Sequence, residues 1–132
     1  MKRSLSATLA VAALLVGTSC GEKPLTIEEY EKALAAAGVR TGPKEPQLAQ
    51  IIGAKSGYGF SLEGDSRCTD QNLCRCEVYE FDTSTGSGRE ALATIKKEGL
   101  MGTKLEFNKN LGIFCQGESS QGKQAVAVLM GM

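Results

Sequence analysis

Cys74-Arg-Cys-Glu-Val-Tyr-Glu-Phe-Asp82 reads as a β-strand, dense in Val78, Tyr79 and Phe81, the residue types that fit a pleated surface. Alternation sends Cys76 and Val78 to one face and Tyr79 and Phe81 to the other. Upstream, Tyr58, Phe60 and Leu62 alternate with Gly59 and Ser61 and predict a partner strand. Residues Glu63 to Asn72 between them are polar and turn-rich. Downstream, Leu105 and Phe107 alternate, Asn108-Lys-Asn110 is a turn, and Leu111 to Gln116 is a further strand.

Helices fill the rest. Thr26-Ile-Glu-Glu29 has the form of a capping box, with Leu25 and Tyr30 placed as a hydrophobic staple. Ile27, Tyr30, Leu34 and Ala37 then repeat at helical spacing up to Gly38. Pro46 suits the first position of a second, short helix carrying Leu48, Ile51 and Ile52 and closed by Gly53. Ser87-Gly-Arg-Glu90 predicts a capping box for a helix with Ala91, Leu92 and Ile95 inward and Gly99 after its end. Ser119 and Ser120 are candidate caps for a last helix, Gln124 to Met130, weakened by the early Gly122. The order α-α-β-β-α-β-β-α predicts an α+β fold of two layers. It would be a four-stranded antiparallel sheet made of two hairpins, with helices on one face.

The first twenty residues concern location rather than fold. Lys2 and Arg3 precede an uncharged apolar run, Leu5 to Val16, and then Gly17-Thr-Ser-Cys20. That is the form of a secretory signal, too short for a stable membrane span. Its ending resembles the lipobox of bacterial lipoproteins, with Gly17 where that family more often has Leu. The resemblance implies cleavage before Cys20 and acylation, including palmitate-type chains, on its sulfur. Several chains, at about 0.8 kcal/mol per buried methylene, hold a protein on a membrane where one would not. The division expected is 1–19 as signal peptide, 20–25 as lipid-anchored tether and 26–132 as a single domain. Gly21 is not the Asp that commonly retains such proteins at an inner membrane. The expected location is therefore the outer membrane, facing the periplasm, where the host has one.

Composition excludes more than it assigns. Loss of the signal removes Lys2 and Arg3 from the 15 basic residues and none of the 15 acidic ones. The near-neutral remainder has no footprint for nucleic acid or for an anionic membrane surface. The chain has no histidine. That removes the usual general base, the commonest metal ligand and every Ser-His or Cys-His pair, and argues against a hydrolase. The Thr85-Gly-Ser-Gly-Arg89 stretch lacks the Lys-Ser/Thr of a phosphate loop and reads as a loop and cap. Asp65, Asp70 and Asn72 lack the spacing of a calcium loop.

Beyond Cys20 four cysteines remain, Cys68, Cys74, Cys76 and Cys115. An even number after an export signal argues for disulfides. Cys74 with Cys76 is the poorest pairing, since strand neighbours two apart lie at the edge of disulfide reach. Cys76–Cys115 with Cys68–Cys74 is the best, and loop-closure entropy assigns them roughly 4 and roughly 2.4 kcal/mol. The swap, Cys68–Cys76 with Cys74–Cys115, stays open. A zinc site of four thiolates lacks paired C-x2-C knuckles, and a redox-active Cys74-x-Cys76 pair lacks the C-x-x-C spacing.

Ile51-Ile-Gly-Ala-Lys-Ser-Gly-Tyr-Gly-Phe60, Val78-Tyr-Glu-Phe-Asp82 and Glu90-Ala-Leu92 with Gly99 resemble small bacterial cell-envelope lipoproteins of unknown function. The likeness covers about half of the chain, and Asp65 to Cys74 is an insertion relative to it. It implies a fold and a location and no reaction. The expectation is a lipid-anchored, exported, non-enzymatic binding or structural module. It would hold the membrane through Cys20 and contact an unknown envelope protein, with no metal, cofactor or nucleic acid. The alternatives are a small thiol-disulfide redox protein and an exported inhibitor-like domain.

Overall fold

Thr26 opens the first helix with its side chain. A computed structural model describes residues 23–46, 49–63, 68, 74–117 and 119–132. Thr26 Oγ1 accepts the Glu29 N–H at 3.1 Å and also meets Glu29 Oε1 at 3.1 Å. This satisfies one orphan donor of the first turn, worth about 1 kcal/mol. Helix α1, Ile27–Ala36, buries Ile27, Tyr30 and Leu34. It stops where Gly38 takes a φ of +78°, a conformation that a side chain disfavours. The Gly38 N–H then bonds to Ala35 O, and the Val39 N–H to Leu34 O. Val39 and Leu34 are both buried, which completes a Schellman motif.

Among the described residues the second helix is a single 3-10 turn, Ala49–Ile52, and Pro46 does not open it: Glu45–Pro46 is a two-residue strand, β1. Proline has no N–H for a ladder, which suits it to a sheet edge. The few residues before Gly53, where φ is +77°, are too short a run to nucleate an α-helix. Leu48 lies outside the described residues.

Four longer strands follow: β2, Ser56–Ser61; β3, Arg75–Glu80; β4, Glu106–Asn108; and β5, Leu111–Gln116. With β1 they form one antiparallel sheet in the order β1-β2-β3-β5-β4, five strands rather than four. Helix α2, Gly86–Glu98, lies between β3 and β4 in sequence, and α3, Ser120–Met130, follows β5. Helix α2 starts earlier than its sequence signal predicts, and α3 starts at Ser120 rather than Gln124, directly after the expected cap. The cap of α2 is Thr85, whose Oγ1 accepts the Gly88 N–H at 3.0 Å, so the Ser87–Glu90 box is not used. The cap of α3 is Ser119, whose Oγ accepts the Gly122 N–H at 2.8 Å.

The helices cover both faces of the sheet, not one. On one face α1 and α3 pack over Phe60, Cys76, Val78, Leu111 and Ile113. On the other, α2 and the 3-10 turn pack over Tyr79 and Phe81. The reason is in β3 itself: Val78 and Tyr79 are neighbours that point oppositely, and both are buried. A strand apolar on both sides needs cover on both sides. Tyr79 lies opposite Gly57 and Phe107 opposite Gly112. A Cβ on either glycine would fall 2.4 or 2.5 Å from the facing ring. The missing side chain is what lets each ring lie flat across the next strand.

One end of the sheet is held by polar groups. Asn110 is 2% exposed. Its Oδ1 accepts the Leu25 N–H at 2.7 Å, and its Nδ2 donates to Leu25 O at 2.8 Å and Phe81 O at 3.1 Å. The Asn110 amide thus pairs with Leu25 as a strand backbone would. Glu80, 8% exposed, accepts the Ile27 N–H at 3.0 Å and faces Lys55 Nζ at 3.5 Å. Its negative charge sits where the α1 dipole is positive. Leu25, placed by sequence at the end of a tether, is buried in the core.

Asn110→Ala strands the buried N–H and C=O of Leu25 together. It is expected to lower stability by about 2–4 kcal/mol, read as a drop in the urea midpoint with an unchanged slope. A loss below ~0.5 kcal/mol would show that solvent replaces the amide.

Candidate functional site

The cysteines come together at the end of the sheet opposite Asn110. Cys76 and Cys115 are directly paired in the β3–β5 register and joined by a disulfide, with Cα atoms 4.0 Å apart. Cys68 is bonded to Cys74, with Cα atoms 5.2 Å apart. Cys74 O accepts the Leu62 N–H at 3.0 Å, which seats the base of that small loop on the end of β2. Cys76 is fully buried, Cys74 nearly so, and Cys68 and Cys115 are half-buried. Helix α3 crosses the long-range bridge closely, since a Cβ on Gly122 would meet Cys115 Cβ at 3.4 Å and Leu62 Cδ1 at 3.5 Å. The glycine that weakened this helix in the sequence is where it packs on the disulfide.

The chemistry of this cluster is that of a crosslink. All four sulfurs are paired with one another, which leaves no thiolate for zinc. Cys74 and Cys76 belong to different bridges, so the Cys74-x-Cys76 pair is not a redox couple in this structure. Among the described residues no group of three or more His, Cys, Asp or Glu is placed to hold a metal ion. Asp65, Asp70, Asn72 and Cys20 lie outside the described residues.

A recess of about 430 Å³ runs beside Cys115, where β5 continues past the end of β4. Phe114, Cys115, Ser119 and Val126 line it, with Lys104 and Lys123 at its rim. The adjoining face of the sheet carries Glu45 paired with Arg75, and Glu77 accepting the Tyr79 hydroxyl.

No family model matches the chain, and no curated protein or solved structure matches it. What the site can do must therefore be read from its own groups.

Three features were not visible in the sequence: the Glu45–Arg75 pair, the Asn110 clamp and the Lys55–Glu80 pair. Each joins residues far apart in the chain that only the fold brings together. The Asp82 turn was closer to hand. Asp82 Oδ1 accepts the Ser84 N–H at 3.0 Å and its hydroxyl as well, and these bonds hold the carboxyl below its ordinary pKa. Asp two residues before Ser is a familiar side-chain turn.

The three tyrosines titrate as part of the fold. Burial pushes all of them above the ordinary phenol range, reinforced at Tyr30 by Tyr58, at Tyr58 by Glu31 and at Tyr79 by Glu77. Tyr30 also donates to Ala125 O at 2.7 Å, tying α1 to α3. Folding favours the neutral phenol, so this stability is complete below the unfolded pKa of about 10 and is lost as pH rises above it. Phenolate absorbance is expected to stay flat through about pH 10 and then rise together with loss of the far-ultraviolet circular dichroism. A tyrosine titrating at the ordinary phenol value in the folded protein would contradict this.

For the bridges, Cys76→Ala with Cys115→Ala is expected to cost about 2–5 kcal/mol, and Cys68→Ala with Cys74→Ala less, because its loop is shorter. Urea unfolding of both double variants, beside peptide mapping without reduction, measures this. An equal loss from the two pairs would refute the ordering.

Proposed function

We propose that this chain is a lipid-anchored, exported envelope protein acting as a non-enzymatic binding or structural module. The observation that carries the proposal is the sequence ending of the export signal at Gly17-Thr-Ser-Cys20, where cleavage leaves an acylated Cys20. The two disulfides of the folded domain support an oxidising compartment. Full burial of Cys76 favours structural bridges over a thiol-disulfide enzyme, whose attacking thiol must be accessible. Anchoring would be to the outer membrane, on its periplasmic side, in a host that has one. The recess beside Cys115 is the surface we assign to an envelope protein partner, being mostly apolar and open at a strand edge.

Cys20→Ser is the direct test. In cells fed a labelled fatty acid, the wild-type chain is expected to take up label and to fractionate with the outer membrane. The variant is expected to take up none and to accumulate as uncut precursor. A variant processed and fractionated like wild type would remove the anchor from the proposal. Wild type found with inner-membrane markers would overturn the destination alone.

A further inference from the structure

We infer that the recess beside Cys115 takes an extended peptide segment of the envelope partner, added to the open edge of β5 as a short strand. The inference rests on the assignment of that recess to a protein partner, proposed above, and adds the chemistry by which the partner is held.

The phase of the ladder decides which backbone groups are open. In an antiparallel pair, facing residues alternate between bonding to each other and turning both backbone groups to the far side. Phe81 stands opposite Asn110, one step beyond Glu80 and Leu111, and its N–H donates to Asn110 O at 2.9 Å. Alternation then bonds Gly112, Phe114 and Gln116 to β3 and turns the backbone of Leu111, Ile113 and Cys115 to the other side. Two further observations agree. The Cys76 and Cys115 Cα atoms are 4.0 Å apart, the close approach of a pair without ladder bonds. The Leu62 N–H donates to Cys74 O at 3.0 Å, which commits the even-numbered residues of β3, Cys76 among them, to β2.

On the far side of β5, β4 meets Leu111 through Asn108 and Ile113 through Glu106, and stops there. The chain before β4 spends its bonds elsewhere. Leu100 and Thr103 exchange backbone bonds at 2.7 and 2.9 Å around a two-residue turn, and Lys104 Nζ donates to Lys97 O at 2.6 Å. The Cys115 N–H and C=O are thus turned to the recess with no strand of the described residues opposite them. A donor and an acceptor side by side at an edge match the C=O and N–H of one residue of an extended peptide. A residue paired with Cys115 shares its face of the sheet. Its side chain would enter between Cys115, Gly122 and Val126. The rim sets Lys104 and Lys123 against Glu106, a mixed group that selects no sign of charge. Backbone and apolar surface are what the recess can recognise, and an uncharged β-branched residue suits both. The sheet edge at β1 offers no equivalent, since Pro46 has no N–H to give.

The test is an NMR titration of the intact, nitrogen-15-labelled protein in detergent micelles. The probe is a capped threonine-valine-threonine tripeptide. Its control is the same peptide methylated on the valine nitrogen, which keeps the side chain and removes the donor. The first peptide is expected to shift the amides of Cys115, Gly122 and Val126. At four times its Kd it should slow exchange of the Cys115 amide about fivefold, with Phe114, bonded to β3, unchanged. The methylated peptide is expected to do neither. Equal binding of the two peptides overturns backbone recognition, and so does an absence of shifts from both at millimolar concentration. A photoreactive residue in place of exposed Lys123, irradiated in whole cells, tests the underlying assignment separately. Crosslinks to an envelope protein without peptide binding overturn strand addition alone. An absence of crosslinks overturns the partner and the inference with it.

Discussion

Cys76 and Cys115 face one another across β3 and β5, and from that one register every neighbouring pair follows. Val78 meets Ile113, and Glu80 meets Leu111. A slip of β3 by one residue would turn Val78 out of the core that Ile113 shares and bring Glu77 into it. The disulfide excludes the slip covalently, and the hydrophobic pattern excludes it energetically. Both strands lie inside the sheet, so the register passes outward to β2 through the pairing of Phe60 with Cys76 and to β4 through that of Glu106 with Ile113.

Much of this was legible in residue order. The strands were visible because Val78, Tyr79, Phe60 and Ile113 alternate or cluster in short runs bounded by turns. The caps of α1 were visible because they are local. Cover on both faces was also present in β3, where Val78 and Tyr79 demand opposite partners, and a two-layer reading passed it over. The failures have a common cause. Pro46 has two good uses, a helix start or an edge strand, and only the neighbouring β2 decides between them. Thr85 and Ser87 both have capping chemistry, and the choice fell to Asp82, whose backbone O lies too near position 88 for any side chain there.

The polar end of the sheet was not legible at all. Asn110 reads as a turn residue, and it is one. Its amide nevertheless satisfies Leu25 and Phe81, which lie 85 and 29 positions away. Burying that amide without partners would cost several kcal/mol, so its presence in the interior is intelligible only together with those partners. The same holds for Glu80, whose carboxylate is stabilised by the α1 N-terminus and Lys55. Buried polar groups of this kind carry long-range information that no window of sequence contains. The anchor proposed at Cys20 is the reverse case: it is read entirely from a contiguous stretch and owes nothing to the fold.

These two kinds of information meet at Leu25. Because Asn110 holds the chain there, a lipid on Cys20 would set the direction of the whole domain and not merely its location. From that point β5 leads away and β3, antiparallel to it, returns, and six residues of β5 span roughly 20 Å. At their far end lie both disulfides and the recess beside Cys115. On the proposed anchoring, the Asn110 end would lie toward the membrane and the crosslinked end would be presented away from it. The Cys76–Cys115 bridge closes the longer loop and so contributes more than Cys68–Cys74, whereas the Asn110 end is held by its hydrogen bonds. Covalent staples at one end and a polar clamp at the other therefore hold a small domain from both ends of its sheet.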